Sequence, residues 1–314
     1  METRQLGASN LRVSLVGLGC NQFGGRLDFA GSKTVIDRAL DLGITHIDTA
    51  DIYGRRGGSE ELVGRALGAR RKDVVLVTKF AKPMSDTPPK SRGSRAYVMS
   101  AVEASLKRLN TDWIDLLFMH EPDPSTPVEE TFRAIEDLKK AGKVRHFGAS
   151  NFSAPEIAEA GDVARRLGVE NFVASQDELS LVHRGIEREL VPELAKQKIS
   201  LIPYFPLAGG ALTGKYRKNK PLPEGRLNTG SGVSQQFLGG SKFDLVEALA
   251  VFAEARGHSL LELAMSWLAA RPLVASIITG ATRPEQLDAN VKAVGWKMTA
   301  QEMAEVERIS GEGS

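Results

Sequence analysis

Short apolar runs rich in β-branched residues recur along the chain, with longer amphipathic segments between them. Eight such runs stand out: "VSLVGLG", "ITHID", "DVVLVTK", "DLLFMH", "VRHFGAS", "FVASQ", "ISLIPY" and "ASIITG". Continuous apolar runs, as opposed to alternating ones, mark strands buried on both faces, as in a parallel sheet clad with helices. The intervening segments, "SKTVIDRALDLG" and "VEETFRAIEDLKKAG" among them, carry helical periodicity and end in a glycine suited to the left-handed position after a helix. Helix starts show the S/T-x-x-E spacing that satisfies orphan backbone N–H groups: Thr126 with Glu129, Ser153 with Glu156, Thr282 with Glu285 and Thr299 with Glu302.

This alternation predicts an α/β fold, a (β/α)8 TIM barrel in which residues 1–314 form a single domain. An open doubly wound sheet would more often show fewer strands and a glycine-rich nucleotide turn, and "GLGCNQFGG" has Gln22 where the third glycine of that turn belongs. Two segments fall outside the alternation. Residues 2–12, around "GASN", predict an N-terminal β-hairpin that plugs the barrel bottom. Residues 217–241, rich in Pro, Gly and Lys, predict a long lid loop after the seventh strand.

Composition then excludes whole classes. With 42% hydrophobic and 25% charged residues, neither disorder nor a fibrous protein needs considering. A formal charge of +2, spread along the chain, argues against a nucleic-acid partner, and the runs "ARRK" and "KYRKNK" read as solvated faces. The single cysteine, Cys20, allows no intramolecular disulfide, which fits a reducing, cytoplasmic setting. The opening residues lack an apolar signal region, and Arg271 and Pro272 interrupt the most apolar later stretch before it reaches spanning length, so no membrane segment is expected. A monomer or weak oligomer without a bound metal is the expectation.

In a barrel of this kind the active site lies at the carboxyl ends of the strands. Here the runs close on Asp48 then Tyr53, Lys79, His120, Ser150 and Asn151, Gln176, Tyr204, and Thr279 with Gly280. Each taken alone reads more simply as a turn residue, a surface residue or a satisfied core histidine. Together, a carboxylate, a lysine, a histidine and a tyrosine at the ends of one sheet point to catalysis, since burying them unpaired would be costly. A tyrosine of ordinary pKa, about 10, is a weak acid at neutral pH. An ammonium at about 4 Å would favour the phenolate by about 4 kcal/mol at an effective dielectric of about 20, before desolvation is subtracted. Asp48 would hold Lys79 in place, and His120 would orient a substrate oxygen. Asp51, beside them in sequence, reads as a turn residue.

The runs "GITHIDTADIYGRRGGSEELVG", "VLVTK", "DLLFMH", "FGASN", "YFPLAGGALTGKY" and "ITGATRPEQLDAN" resemble the aldo-keto reductase superfamily in order and spacing, from about residue 3 to residue 295. The resemblance implies a barrel that binds NADPH, in preference to NADH, in an extended pose, with the tetrad Asp48, Tyr53, Lys79 and His120. It implies reduction of a small carbonyl substrate, or oxidation of an alcohol, with hydride passing between nicotinamide and carbonyl carbon while tyrosine handles the proton. It further implies Ser150, Asn151 and Gln176 at the carboxamide and Tyr204 on the nicotinamide ring. Pro206, Leu207 and Lys215 would follow along the pyrophosphate, with Gly280, Thr282, Gln286 and Asn290 at the adenosine end and Arg283 near the 2′-phosphate, where a helix N-terminus suits an anion.

Some positions depart from the family pattern. Phe205 stands where serine is common, Asp177 and Leu179 where asparagine and tyrosine are usual, and the turn "YGRRGGSE" is slightly long. Two other readings compete: a Schiff-base aldolase with Lys79 as nucleophile, and a binding module like the β-subunits of potassium channels. The aldolase leaves "GATRPEQLDAN" unexplained, and the binding module is expected to carry an extension before the barrel. Substrate choice is assigned to the loops at 26–31, 82–95, 121–127 and 217–241, whose mixed chemistry names no substrate; "KPMSDTPPKSRGSR" hints at a basic rim for an anionic or polyol substrate, but a solvated loop is the simpler reading.

Overall fold

The structure is a computed structural model that describes residues 1–218, 220–221 and 240–311, so most of the lid expected over 217–241 lies outside the described residues. A two-stranded antiparallel hairpin, β1 (Thr3–Gln5) and β2 (Arg12–Ser14), precedes eight parallel strands. These are β3 (Val16–Gly19), β4 (His46–Asp48), β5 (Val75–Phe80), β6 (Ile114–Met119), β7 (Val144–Ser150), β8 (Ala174–Glu178), β9 (Ser200–Tyr204) and β10 (Ile277–Gly280). They pair in chain order with β10 beside β3. The ring closes where Leu201 N–H donates to Leu273 O at 2.8 Å and Ala275 N–H to Leu201 O at 3.0 Å, a parallel bridge between the start of β9 and the segment leading into β10. The expected (β/α)8 barrel is the observed fold.

The sheet sorts its side chains by parity, as a pleated strand must. Ile47, Leu76, Leu117 and Phe147 face outward into the main core shared with the helices. Val77, Leu116, Phe118 and Ile202 face the barrel interior, where Leu6 and Val13 of the hairpin meet them. The hairpin therefore plugs the end away from the strand carboxyl termini, as expected. Gly7 fits it there: at φ +50°, a Cβ would lie 2.4 Å from Val173 O. The run "VSLVGLG" is divided between the two layers, because Leu15 N–H turns aside to Glu2 O and Ser14 Oγ donates to Val16 O.

Two of the four expected helix starts form as read: Ser153 with Glu156 and Thr299 with Glu302. Two do not. Thr126 spends its hydroxyl on Asp123 at 2.7 Å, and the helix Val128–Lys140 is entered from Pro127 instead. At the helix Pro284–Ala293, Gln286 in place of Glu285 caps the chain, its Oε1 accepting the N–H groups of Thr282 and Arg283 at 2.7 and 3.2 Å.

Candidate active site

Parity also builds the site. Asp48 pairs in register with Val77, and Lys79 stands two residues further along β5; Lys79 pairs with Phe118, and His120 stands two residues beyond. Steps of two keep all three on the inner face, so successive strand ends deliver them to one point. Lys79 is fully buried, and its Nζ donates to Asp48 Oδ1 at 2.6 Å and to Thr49 O at 2.9 Å. The other Asp48 oxygen accepts from Gln176 Nε2 at 2.8 Å, which ties β8 to β4 across the barrel.

Tyr53 arrives from the loop after β4. Its ring meets His120 edge-on, with centroids 5.7 Å apart, and the Lys79 ammonium lies 5.1 Å from the ring centroid. The backbone just after it is held in an unusual left-handed turn: Gly54, Arg55, Arg56 and Gly57 have φ of 64°, 64°, 68° and 116°. Two arginines in that region cost about 1–2 kcal/mol each. Gly54 is required, since a Cβ there would lie 2.5 Å from both Phe23 O and Ser59 N. Ser59 anchors the turn, its hydroxyl bonded to Cys20 O and Thr49 Oγ1, both at 2.8 Å.

The titrating groups divide by what faces them. Burial opposes the Lys79 ammonium, but the Asp48 carboxylate and the Tyr53 phenol outweigh it and raise its pKa. Burial pushes the Tyr53 phenol above its ordinary value, and Lys79 lowers it only in part, contrary to the expectation that the ammonium would bring it nearer neutrality. Burial, then Lys79 and Lys82, push His120 down to about 2, so its imidazole is neutral, with Nδ1 lacking a partner among the described residues. His46, on the same face one step below Asp48, is pushed down to about 4, chiefly by burial.

A cavity of about 1000 Å³ opens in front of this point, with Asp48, Tyr53 and His120 on its wall; Lys79 lies behind them and does not reach it. A lysine so enclosed, ionised and held by a carboxylate is poorly placed to attack a carbonyl, which weighs against the aldolase reading. The expected cofactor residues line the same cavity: Ser150, Asn151, Gln176 and Tyr204, then Pro206, Leu207 and Lys215, then Gly280, Thr282, Arg283, Gln286 and Asn290. Asn151 is the hub of the first group. Held at φ 61°, it donates from Nδ2 to His120 O and Ser150 Oγ at 2.9 and 3.0 Å, and accepts from Tyr204 OH at 2.8 Å. Ser150 Oγ in turn donates to Gln176 O at 2.8 Å.

Other lining residues were not assigned individually to the site from the sequence: Asn21, Gln22 and Arg26 after β3, Lys82 after β5, Glu121 after β6, and Gly209, Gly210 and Thr213 after β9. Arg26, Lys82 and Glu121 open or nearly open the loops assigned to substrate choice. No periodicity singles out a loop residue, so only position marked them. Asp51 also proves to be more than a turn residue: it is buried, with neither carboxyl oxygen partnered among the described residues.

A family model described as the Aldo/keto reductase family matches residues 15–310. A probable voltage-gated potassium channel subunit beta of Arabidopsis thaliana is 36% identical over 302 residues, covering 94% of this chain and 91% of its own. The L-glyceraldehyde 3-phosphate reductase of Escherichia coli strain K12 is 31% identical over 324 residues, covering 100% and 93%. The versiconal hemiacetal acetate reductase of Aspergillus parasiticus is 34% identical over 337 residues, covering 98% and 96%.

Proposed function

The chain belongs to the aldo/keto reductase family, and from that premise we propose that it is an NADP(H)-dependent, cytoplasmic oxidoreductase that interconverts aldehydes or ketones with alcohols. The observation that carries the reading is Tyr53: a phenol on the cavity wall, beside a neutral His120 and in front of a lysine whose ammonium is held by Asp48 at 2.6 Å.

The cavity residues suit a nicotinamide dinucleotide. Asn151 spends both Nδ2 hydrogens on His120 O and Ser150 Oγ, which leaves lone pairs of its Oδ1 and of Gln176 Oε1 to accept from a carboxamide NH2. Lys215 and Arg283 would carry the phosphates, with the N-terminus of the helix Pro284–Ala293 behind Arg283. When bound, the reduced nicotinamide supplies a hydride to the carbonyl carbon. Tyr53 gives its hydroxyl proton to the carbonyl oxygen, and the phenolate left behind is stabilised by the ammonium of Lys79. His120 donates a hydrogen bond to the same oxygen and orients it. Asp48 acts through Lys79, fixing where that charge sits.

Tyr53→Phe is expected to bind NADPH like the parent in a fluorescence titration and to reduce 4-nitrobenzaldehyde at least about a hundredfold more slowly, the lower range for a general acid. Turnover at the parent rate would overturn the assignment. The same titration run with NADH should give weaker binding, since NADH lacks the phosphate that Arg283 is assigned; equal affinities would remove the NADP preference. The relatives named as channel subunits favour a second reading, a module that holds the cofactor without serving metabolism. Tight NADPH binding with no reduction of any aldehyde by the parent protein would support it.

A further inference from the structure

The cavity has two unlike ends. Where the residues after β9 and β10 line it, the wall is mixed, with Leu207, Leu261 and Ile278 among polar groups. Beside Tyr53 and His120, the residues after β5 and β6 contribute Lys82 and Glu121, and the segment after β3 adds Arg26 together with Asn21 and Gln22, Asn21 lying against Gly280 of β10; among the described lining residues of these segments none is aliphatic and only His120 carries a ring. An apolar or aryl substrate would find only the rings of Tyr53 and His120 there to cover it.

The charges at this end do not cancel. One carboxylate, Glu121, is shared by two cations: Lys82 Nζ lies 3.1 Å from Oε2 and Arg92 Nη2 lies 3.1 Å from Oε1. Arg26 is exposed, and its guanidinium has no hydrogen bond or ion pair among the described residues. Two cations thus share one carboxylate, and Arg26 adds a further guanidinium, unpaired among the described residues, to the cavity wall. The Lys82 ammonium is also felt at the reacting point, since it helps keep His120 neutral, after burial and Lys79. Cations gathered beside a low-dielectric cleft raise the local concentration of anions.

Building on the reductase reading, we propose that Arg26 and Lys82 form an anion subsite, and that the preferred substrates are small carbonyl compounds carrying a carboxylate or phosphate a few bonds from the carbonyl. Because the subsite is at an exposed rim, its attraction is screened by salt.

Matched pairs of aldehydes test this: 4-carboxybenzaldehyde against the nearly isosteric, neutral 4-nitrobenzaldehyde, and glycolaldehyde phosphate against glycolaldehyde. For each pair the ratio of charged to neutral kcat/KM is measured at saturating NADPH in the parent, in Arg26→Met and in Arg26→Met/Lys82→Met. Comparing ratios between proteins cancels the intrinsic reactivity of each aldehyde. The ratio is expected to fall by about three- to fivefold in the single variant, the upper range for one exposed pair, further in the double variant, and in the parent at high salt. The two pairs separate carboxylate from phosphate preference. Ratios that stay within measurement error in both variants, or a preference insensitive to salt, would overturn the proposal. Should the parent reduce neither member of a pair, the reductase reading fails, and competition between 4-carboxybenzyl and 4-nitrobenzyl alcohol for the NADP+ complex still decides the subsite: equal affinities in parent and variants would sink it.

Discussion

Asp48 and Asp51 are three residues apart, on opposite sides of the end of β4, and both are buried. On the barrel side, Asp48 meets a lysine ammonium and an amide N–H, one for each oxygen, at 2.6 and 2.8 Å. On the helix side, neither Asp51 oxygen has a side-chain donor among the described residues, and burial, followed by the nearby Glu60 carboxylate, pushes its pKa up to about 8 against the smaller pulls of Arg108 and the Ile52 N–H. The donors on that side are already taken: Glu60 accepts from Thr78 Oγ1 and from Arg108 Nε, both at 2.6 Å. Burial penalises a charged carboxyl, and at Asp51 a second carboxylate, Glu60, faces the group where Asp48 faces the ammonium of Lys79. The barrel side keeps a charge fixed for use; the helix side keeps a proton.

Removing the carboxylate from the barrel side is the strongest way to break this contrast. Asp48→Asn keeps the bond to Gln176 in reach but leaves Lys79 buried without its counter-ion, a change that costs about 3–5 kcal/mol when one partner of a buried pair is lost. The variant is expected to unfold at distinctly lower urea concentration and, while folded, to lose about a hundredfold in kcat, because an unanchored ammonium no longer sits where the phenolate forms. A variant with parental stability and kcat would show that Lys79 is held by Thr49 O alone.

The corresponding change on the helix side should do the reverse. The folded pKa of Asp51 is raised, so between pH about 4, its unfolded value, and about 8, the folded chain holds a proton that the unfolded chain has released. Its contribution to stability is therefore full below that window and is lost as pH rises through it. Asp51→Asn cannot release that proton. Relative to the parent it should gain stability steadily from pH 5 to pH 8, read as the difference in urea midpoints, while kcat at pH 7 stays within a few-fold. A difference that is flat with pH would mean that Asp51 is ionised in the fold, and that the two sides of β4 are alike.

The sequence makes the barrel and its reacting corner readable because both depend on short-range rules. Apolar runs mark strands, and a polar residue closing a run marks an inward-facing end, which is how Asp48, Lys79 and His120 could be named from pattern. What stayed hidden depends on who faces whom across the fold. That Asp51 has no side-chain donor among the described residues depends on Arg108 and Thr78, which come from a distant helix and from β5 and are taken by Glu60, and that Tyr53 is raised in pKa depends on the depth of its burial. The division of "VSLVGLG" into plug and barrel strand follows from the contact between Leu15 and Glu2, which no local propensity encodes. Arg26 and Lys82 lie on irregular loops, where charge alone does not separate a rim from a solvated surface.

Asp177 lies between the two cases and gives the smallest expected effect. It stands where the family pattern usually has asparagine, and it is buried, with Oδ1 accepting the N–H of Asn151 at 3.1 Å and Oδ2 the hydroxyl of Ser175 at 2.6 Å. Burial pushes it up to about 6, with those two bonds pulling the other way. Below that pH it gains a proton, which goes most easily to Oδ2, so that Ser175 turns from donor to acceptor while Oδ1 still accepts from Asn151. The rearrangement is local, yet it adjoins the residue that connects His120, Ser150 and Tyr204. NADPH affinity in the parent is therefore expected to weaken by a few-fold between pH 7 and pH 5 beyond what Asp177→Asn shows, since asparagine can make the same two bonds at either pH. Any titration of the 2′-phosphate itself, near pH 6, is common to both proteins and drops out of the comparison. If both proteins lose affinity in parallel, Asp177 is a spacer with the shape of asparagine, and its proton has no hold on the nicotinamide pocket.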